Sequence, residues 1–586
     1  MKGPNESGTH NRPEIDLLMA AAETVSSPLD VALDRVRSLP GGATRKEVSD
    51  ALATLAEAAA DIDGIQLAAL RSEATRALKV AGVHSPGRLV TAALPGGSNG
   101  QRRESAAKRL LSLVSEEGAE LWHDTQREPH ISFPKDDHVE HYRLRTPPVR
   151  EWLAWLLYRR SGAVPGGDAV ESTLNVLSAK AAHDGTTHPV AVRRHHDGSA
   201  FWLDLGTPDW SAVKVTPDGW IVEPVPDVRF TRPKGLLPLP LPAAGGSLDE
   251  LRQLINVADE HWPLVCGWVV GALAPGGPFP ALLLTGLQGS GKSGATRLLR
   301  QLLDPNSAPV RSAPRDERDL AIAARNGAVV ALDNVSRVPD WLSDALCRLT
   351  TGAGMTTRAL FSDDHEAIFA ACRPVVLNGI ADVATRPDLL DRSIRVQLRP
   401  IQVRGETPID GGKRRVTESE IMEVFGVAHP RLLGALLDAV ACGLRRLPET
   451  VLDDPPRMAD HARWVVACEP ALPIPAGSYL AAWDAGVGSM HEVSMDASVV
   501  GSVLRAWFAN KREWRGTSSE LLDELNRQRE DRPPKGWPSQ PNSLSSELNR
   551  LAPSLRGVGI MLKRGEGSTA QRRLWTITRV DEGTGA

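Results

Sequence analysis

No two of the five cysteines, Cys266, Cys347, Cys372, Cys442 and Cys468, are spaced C-x-x-C, and their number is odd. This argues against a disulfide framework and predicts reduced, mostly buried thiols. No apolar run reaches the roughly 20 residues that span a bilayer. The longest, "WPLVCGWVVGALAPGG", is broken by proline and glycine and reads as a buried helix. The start, "MKGPNESGTHNRPEID", is polar and lacks the apolar core of a signal peptide, so a cytoplasmic protein without a membrane partner is expected. Excess charge is missing too: a net charge of −4 excludes a uniformly basic coat and leaves any attraction for phosphates to local patches. No internal repeat is found.

What is present is ordinary for a globular chain, with 41% hydrophobic and 24% charged residues over 586 positions. That length suggests roughly three to five folding units. Residues 1–30 read as a flexible tail and 31–92 as a small helical domain. The Gly/Ser/Asn-rich stretch within 93–104 reads as a linker. Over 105–245 helices such as "TPPVREWLAWLLYRR" give way to short alternating segments with Asp197-Gly198 and Asp218-Gly219 between them, a hairpin signature within an α+β module. Trp152, Trp155 and Tyr158 beside Arg159 and Arg160 fit an aromatic helix face packed in a core, with base stacking as the alternative. Residues 246–400 alternate strand-like runs ("PALLLTG", "AVVALD", "PVVLNG", "SIRVQL") with helices, which calls for a parallel sheet. Residues 401–490 read as helical and 500–580 as a basic unit.

"GLQGSGKS", Gly286 to Ser293, fits G-x-x-x-x-G-K-[ST] between an apolar strand and a helix, the context the motif requires. Gly286, Gly289, Ser290, Gly291 and Gly294 let the backbone turn its N–H groups toward phosphates, and Lys292 would reach the β/γ-phosphates. Ser293 would ligate Mg²⁺. About forty residues on, "VVALDN" ends in Asp333, the expected second metal ligand, followed by Asn334 where a second acid is common. Asn334 has no useful basicity but suits orienting the attacking water; Asp316, Glu317 or Asp319 in "RDERDL" are the alternatives. "RPVVLNG" ends in Asn378, placed to touch water or the γ-phosphate, and "TRPDLLDRSI" supplies Arg386 and Arg392. ATP and Mg²⁺ are the expected cofactors.

The order "GLQGSGKS", "VVALDN", "LCRLTTGAGMTTRALFSDDHEAIFA", "RPVVLNG", "RPDLLDRSI" resembles the superfamily 3 branch of AAA+ ATPases, the phage, plasmid and poxvirus-type primase-helicases. Residues from about 120 to 580 are also similar to an ATP-binding family of actinobacterial phages and integrated elements. The resemblance implies an α/β P-loop core with a helical lid, assembled into a ring, hexameric in that branch, whose sites are completed by Arg392 from a neighbour, with Arg386 second. It implies a hairpin over "TTRALFSDDHEAIFA" that grips DNA. Asp363 and Asp364 at the turn repel phosphate, leaving Arg358 and His365 as contacts. The N-terminal helical region has neither a primase's acidic cluster nor zinc-ligand spacing, so a primase or polymerase would be a separate partner.

At the carboxyl end, two helices with capping-type starts (Thr517 with Glu520, Ser543 with Glu547) and two strands follow the plan of a winged helix. From Arg550 to Arg579 seven basic residues face one acid, Glu566, and Lys563, Arg564, Arg572 and Arg573 are the expected phosphate contacts. The whole reads as an ATP-dependent, oligomeric helicase or translocase acting on single-stranded or forked DNA during replication of a mobile element. The alternative is a nucleotide-dependent DNA-binding switch or defence NTPase that unwinds nothing.

Overall fold

A computed structural model describes residues 27–60, 62, 64–94, 105–224, 228–358, 366–369, 371–379, 386–401, 416–528, 536–565 and 574–579. The chain forms two compact units, one holding Met1–Ser112 with Pro165–Ala169, the other the remainder.

In the first unit the helices Pro28–Arg37, Arg45–Ala58, Gly64–Val80 and Pro86–Ala93 enclose Val36, Leu52, Leu55, Leu70, Leu78 and Val90. The first helix begins inside the expected tail, because Ser27 accepts the Asp30 N–H and Pro28 presets the first turn. Thr44 and Glu47 cap the second reciprocally.

The second unit mixes helices with several sheets. His138–Arg143, Pro129–Lys135 and Glu120–His123 pair antiparallel, and Thr186–Thr187 adds a short parallel edge. Arg194–His196, Phe201–Asp204, Ala212–Thr216 and Gly219–Glu223 form an antiparallel meander with turns at both Asp-Gly pairs, where Gly198 and Gly219 take positive φ. The aromatic helix Pro147–Ser161 departs from expectation. Only Trp152 is packed, stacked on Phe133 with centroids 4.3 Å apart, whereas Trp155 and Tyr158 are 48% and 61% exposed. Val149, Leu153, Leu156 and Leu157 already fill the buried face, so the other two aromatics point away from it.

At the centre lies a parallel sheet in the order Val330–Leu332, Val375–Asn378, Ala281–Thr285, Ser393–Gln397. Arg311 bridges Leu332 in parallel at the outer edge. Three of the strands are entirely buried, which is why they read as continuous apolar runs rather than alternating ones. Trp262–Gly271, the run that stops short of a bilayer, is a helix buried at every residue. Gly271 lets His461 approach so closely that a Cβ would stand 2.0 Å from its ring. The helices Glu418–Arg446, Ala459–Cys468 and Ser478–Ala497 pack over this layer. Glu418–Glu449 is apolar and long enough to cross a membrane, but 67% of its most apolar window is buried in this core, as expected of a central helix.

The last part runs helix Val499–Phe508, strand Glu513–Thr517, helices Ser518–Gln528 and Pro541–Gly557, and strands Ile560–Arg564 and Leu574–Arg579, with Leu574–Arg579 central in an antiparallel sheet. Thr517 and Glu520 form the expected reciprocal cap. Glu547 does not cap: it holds Arg550 and accepts from Ser498, and Ser543 bonds Gln540 instead, because the helix starts at Pro541 rather than after Ser543.

Candidate active site

The buried strand Ala281–Thr285 delivers the chain to a loop that must turn sharply. Gly286, Gly289 and Gly291 have φ of +151°, +79° and +85°, values that favour glycine. At Gly286 a side chain would also collide, since a Cβ would stand 2.8 Å from the Ser290 hydroxyl. The Ser290 Oγ is itself buried and meets no partner among the described residues. Gly294, one turn into the helix, has open space where a Cβ would stand.

Helix Lys292–Leu303 starts at the last turn of the loop, which aims its free N–H groups and positive dipole end into the loop's concavity. Lys292, 8% exposed, donates from Nζ to the carbonyls of Gly286 and Leu287 at 2.8 and 2.7 Å. Two of its three hydrogens thereby hold the loop and one remains. Burial pulls its pKa below the usual lysine value.

The strand order then brings polar groups together. Because Val375–Asn378 lies between the Asp333 strand and the phosphate-loop strand, Asn378 at its end faces both. Its Nδ2 donates to Asp333 Oδ1 at 2.8 Å and to Thr296 Oγ1 at 2.7 Å, and its Oδ1 accepts the Asn334 N–H at 3.0 Å. Ser293 Oγ donates to Asp333 Oδ1 at 2.7 Å. Ser293, Asp333 and Asn378, 85 positions apart at the extremes, form one network. Thr296 belongs to it and was not foreseen; its signal was its place one helical turn after Lys292, whose carbonyl it also bonds.

A hydroxyl and a carboxylate on one side of this glycine-turned loop are hard oxygen donors of the kind Mg²⁺ takes. Among the described residues no group of three or more His, Cys, Asp or Glu side chains is placed to hold a metal ion, so such an ion would complete its shell from phosphate and water. Asn334 occupies the left-handed region, φ +55°, where asparagine is several-fold enriched over other non-glycine residues. Its backbone is tied to Asn378, and its side chain is exposed. The alternatives in "RDERDL" are otherwise occupied: Asp316 caps its helix through the Asp319 N–H, and Glu317 pairs with Arg348 at 2.7 Å.

The two arginines are not equivalent. Arg386 pairs with Asp344 at 2.9 Å and donates to the Asp340 carbonyl. The Arg392 guanidinium bonds only the Asp388 carbonyl, at 2.6 Å, among the contacts of described residues. The Arg392 carbonyl accepts from Ala281 N, at the start of the phosphate-loop strand. At roughly 3.3 Å per residue, the strand's length puts about 15 Å between that point and the loop. Arg392 therefore stands at the opposite end of the sheet from the Gly286–Ser293 loop.

Of the expected nucleic-acid contacts, Lys563 and Arg564 are the exposed end of a strand whose start, Ile560, is buried, with Arg564 over the Trp575 ring at 5.4 Å. Arg358 closes the strand Met355–Arg358, opposite Glu366 in the antiparallel partner Glu366–Phe369. His365, Arg572 and Arg573 lie outside the described residues, as do Asp363 and Asp364. All five cysteines are free.

Among solved structures, the apo C-terminal region of NrS-1 (305–718) is 11% identical with a TM-score of 0.35, covering 81% of this chain and 100% of that one. A structure titled SCCmec type IV Cch, active helicase, is 12% identical with a TM-score of 0.42, covering 79% and 92%. No curated protein matches the sequence. Residues 248–492 match the family model described as actinomycete integrative conjugative element replication protein, and residues 500–585 match that of the AICE RepA C-terminal domain. The sheet that carries Lys292, Asp333 and Asn378 is thus similar to a replication protein of actinomycete integrative elements, and so is the basic carboxyl-terminal part.

Proposed function

We propose that this protein is an ATP-dependent DNA motor, a helicase or translocase, serving replication of an integrative element. The observation that carries the reading is the convergence of Lys292, Ser293, Asp333 and Asn378 beside the glycine-turned loop at one end of the parallel sheet. Lys292 and the loop N–H groups bind the phosphates, Ser293 and Asp333 hold Mg²⁺, and Asn378 fixes Asp333 in place. When bound, the ion neutralises charge developing on the transferred phosphoryl group. Asn334 orients the attacking water with its exposed amide.

Arg392 acts on a neighbour's nucleotide, since it stands a strand length away from its own loop. This makes the working form an oligomer, a ring of about six subunits in the branch that the sequence resembles. The carboxyl-terminal helices and three-stranded sheet are read as a winged helix whose Lys563 and Arg564 contact the DNA backbone without choosing sequence. Replication similarity over 248–492 and 500–585 supports DNA as the partner.

One observation favours a second reading, a nucleotide-dependent DNA-binding switch. Asn334 stands where a stronger water-activating acid is common, and its left-handed backbone is by itself a reason for asparagine. Strand displacement on a tailed duplex separates the two. The motor displaces the strand while ATP is consumed; ATP-dependent binding with no displacement identifies the switch.

A further inference from the structure

The other end of the parallel sheet carries a second concentration of charge. The strand residues Arg194, His195 and His196, the turn Pro275–Gly277 and the segment Ala371–Arg373 line a cleft of about 330 Å³. Ala371 to Arg373 join the hairpin strand Glu366–Phe369 to the Asn378 strand, so the cleft lies at the hairpin's root. Gly277 presses against it so closely that a Cβ there would stand 2.4 Å from the Cys372 sulfur.

Two guanidiniums border this cleft, and neither meets a carboxylate among the described residues. Arg194 donates from Nη1 to the Ala274 carbonyl at 2.9 Å and lies over the Phe279 ring at 4.3 Å, with a buried Nε that has no acceptor. Arg373 donates only to carbonyls, those of Ala324, Gly327 and Cys372. The nearby acid, Asp304, is already saturated. It is paired with Arg193 at 3.2 Å and Arg300 at 3.0 Å and accepts the N–H groups of Ala328 and Val329. Asp197, beside the two histidines, is engaged by Ser199, Ala200 and Trp202. Asp304 is thus taken by Arg193 and Arg300, and Arg194 and Arg373, which line the cleft, are left without a carboxylate of their own among the described residues. Burial first, and Arg373 second, push the Arg194 guanidinium down to about 9, so the pair is destabilised as it stands and gains from an anion.

We propose that Arg194 and Arg373 form a phosphate-binding site at the root of the hairpin. A guanidinium's fork of N–H donors matches a phosphate oxyanion, and the free Nε of Arg194 supplies an unused donor. The phosphate comes from the DNA backbone or from a free anion. The backbone source would place the grip on DNA at the root of the paired strands Met355–Arg358 and Glu366–Phe369. This assignment is independent of whether the chain hydrolyses ATP.

Cys372 reports on the cleft. The full chain, carrying Lys292→Ala to remove the phosphate-loop contribution, is alkylated with iodoacetamide in phosphate or in chloride at equal ionic strength. Peptide mass spectrometry then gives the rate at Cys372, with Cys347 as internal reference. Phosphate slows Cys372 at least threefold and leaves Cys347 unchanged. Adding Arg194→Gln abolishes the protection, and Arg194→Lys restores part of it. A single-stranded oligothymidylate, at micromolar concentration in chloride, protects Cys372 if the backbone is the source; protection by phosphate alone assigns the site to a free anion. Equal Cys372 rates in phosphate, oligonucleotide and chloride in the Lys292→Ala chain overturn the site without recourse to the Arg194 variants, and so does protection that survives Arg194→Gln.

Discussion

Asp333, at the carboxyl end of the parallel sheet, accepts hydrogen bonds from two neutral groups, the Ser293 hydroxyl and the Asn378 amide. Asp304, at the far end of the phosphate-loop helix, accepts from two guanidiniums and two backbone amides. Neutral donors fix Asp333 without neutralising it, so its charge remains for a cation. Asp304 spends its charge on holding Arg193 of the accessory meander, Arg300 of the helix and the entry to the Asp333 strand in one place. The same side chain is thus open to a cation at one end and a structural clasp at the other, and the difference lies in its partners.

The largest test of that contrast is Asp304→Ala. Removing one member of a buried pair strands the charge on the other, which costs about 3–5 kcal/mol. Denaturant unfolding should show a loss of this size; a change under 1 kcal/mol would mean that the clasp does not hold the fold.

Acid should attack the same end. His429, whose Nε2 lies 3.4 Å from the Leu302 carbonyl, and His461, on the helix Ala459–Cys468 with its ring against Gly271, are pushed by burial down to about 4 and about 3. Each is neutral when folded and takes up a proton more readily when unfolded. Their contribution is therefore intact above about pH 6.5, the unfolded value, and is lost as pH falls from there toward 4, on the order of 3 kcal/mol for each. Thermal unfolding at pH 7.5 and 5 reads this directly, and an unchanged Tm would contradict it.

At the other end Asp333→Asn leaves the fold intact and lowers ATP turnover by about two orders of magnitude, as loss of a metal ligand's charge implies. Measured turnover within a factor of three of wild type would remove Asp333 from the site. The smallest effect expected is that of Asn334→Gly. Glycine tolerates the left-handed backbone without the amide, so turnover should fall about tenfold, roughly 1.4 kcal/mol of barrier, with ATP affinity unchanged. Equal turnover would show that asparagine serves only the turn.

The contrast also explains what the sequence revealed. The convergence at the carboxyl end was legible because a glycine-rich G-x-x-x-x-G-K-S loop is a local pattern and because strand ends mark where polar side chains emerge from apolar runs; Lys292, Ser293, Asp333 and Asn378 could all be named on that basis. Asp304 could not: its i,i+4 spacing from Arg300 reads as an ordinary surface helix pair, and no spacing rule links it to Arg193, 111 positions away. Arg194 and Arg373 were silent for the same reason. Trp155 and Tyr158 were assigned to a core because aromatic residues on one helix suggest burial, whereas four aliphatic neighbours had already filled that face. Arg392 ranked ahead of Arg386 only through the resemblance; the ion pair of Arg386 with Asp344 is a structural difference between them that no spacing announces.

The account's central claim, an ATP site completed by a neighbouring subunit, is tested most directly by mixing two inactive variants. Lys292→Ala lacks the phosphate contact and Arg392→Ala the finger, and each alone should turn over ATP at under a hundredth of the wild-type rate in the presence of single-stranded DNA. Mixed in equal amounts, they form interfaces that pair an intact loop with an intact arginine, and DNA-stimulated turnover should return to about a quarter of wild type by random assembly. Failure of the mixture to recover any activity, or an Arg392→Ala protein that hydrolyses ATP as well as wild type alone, would contradict it.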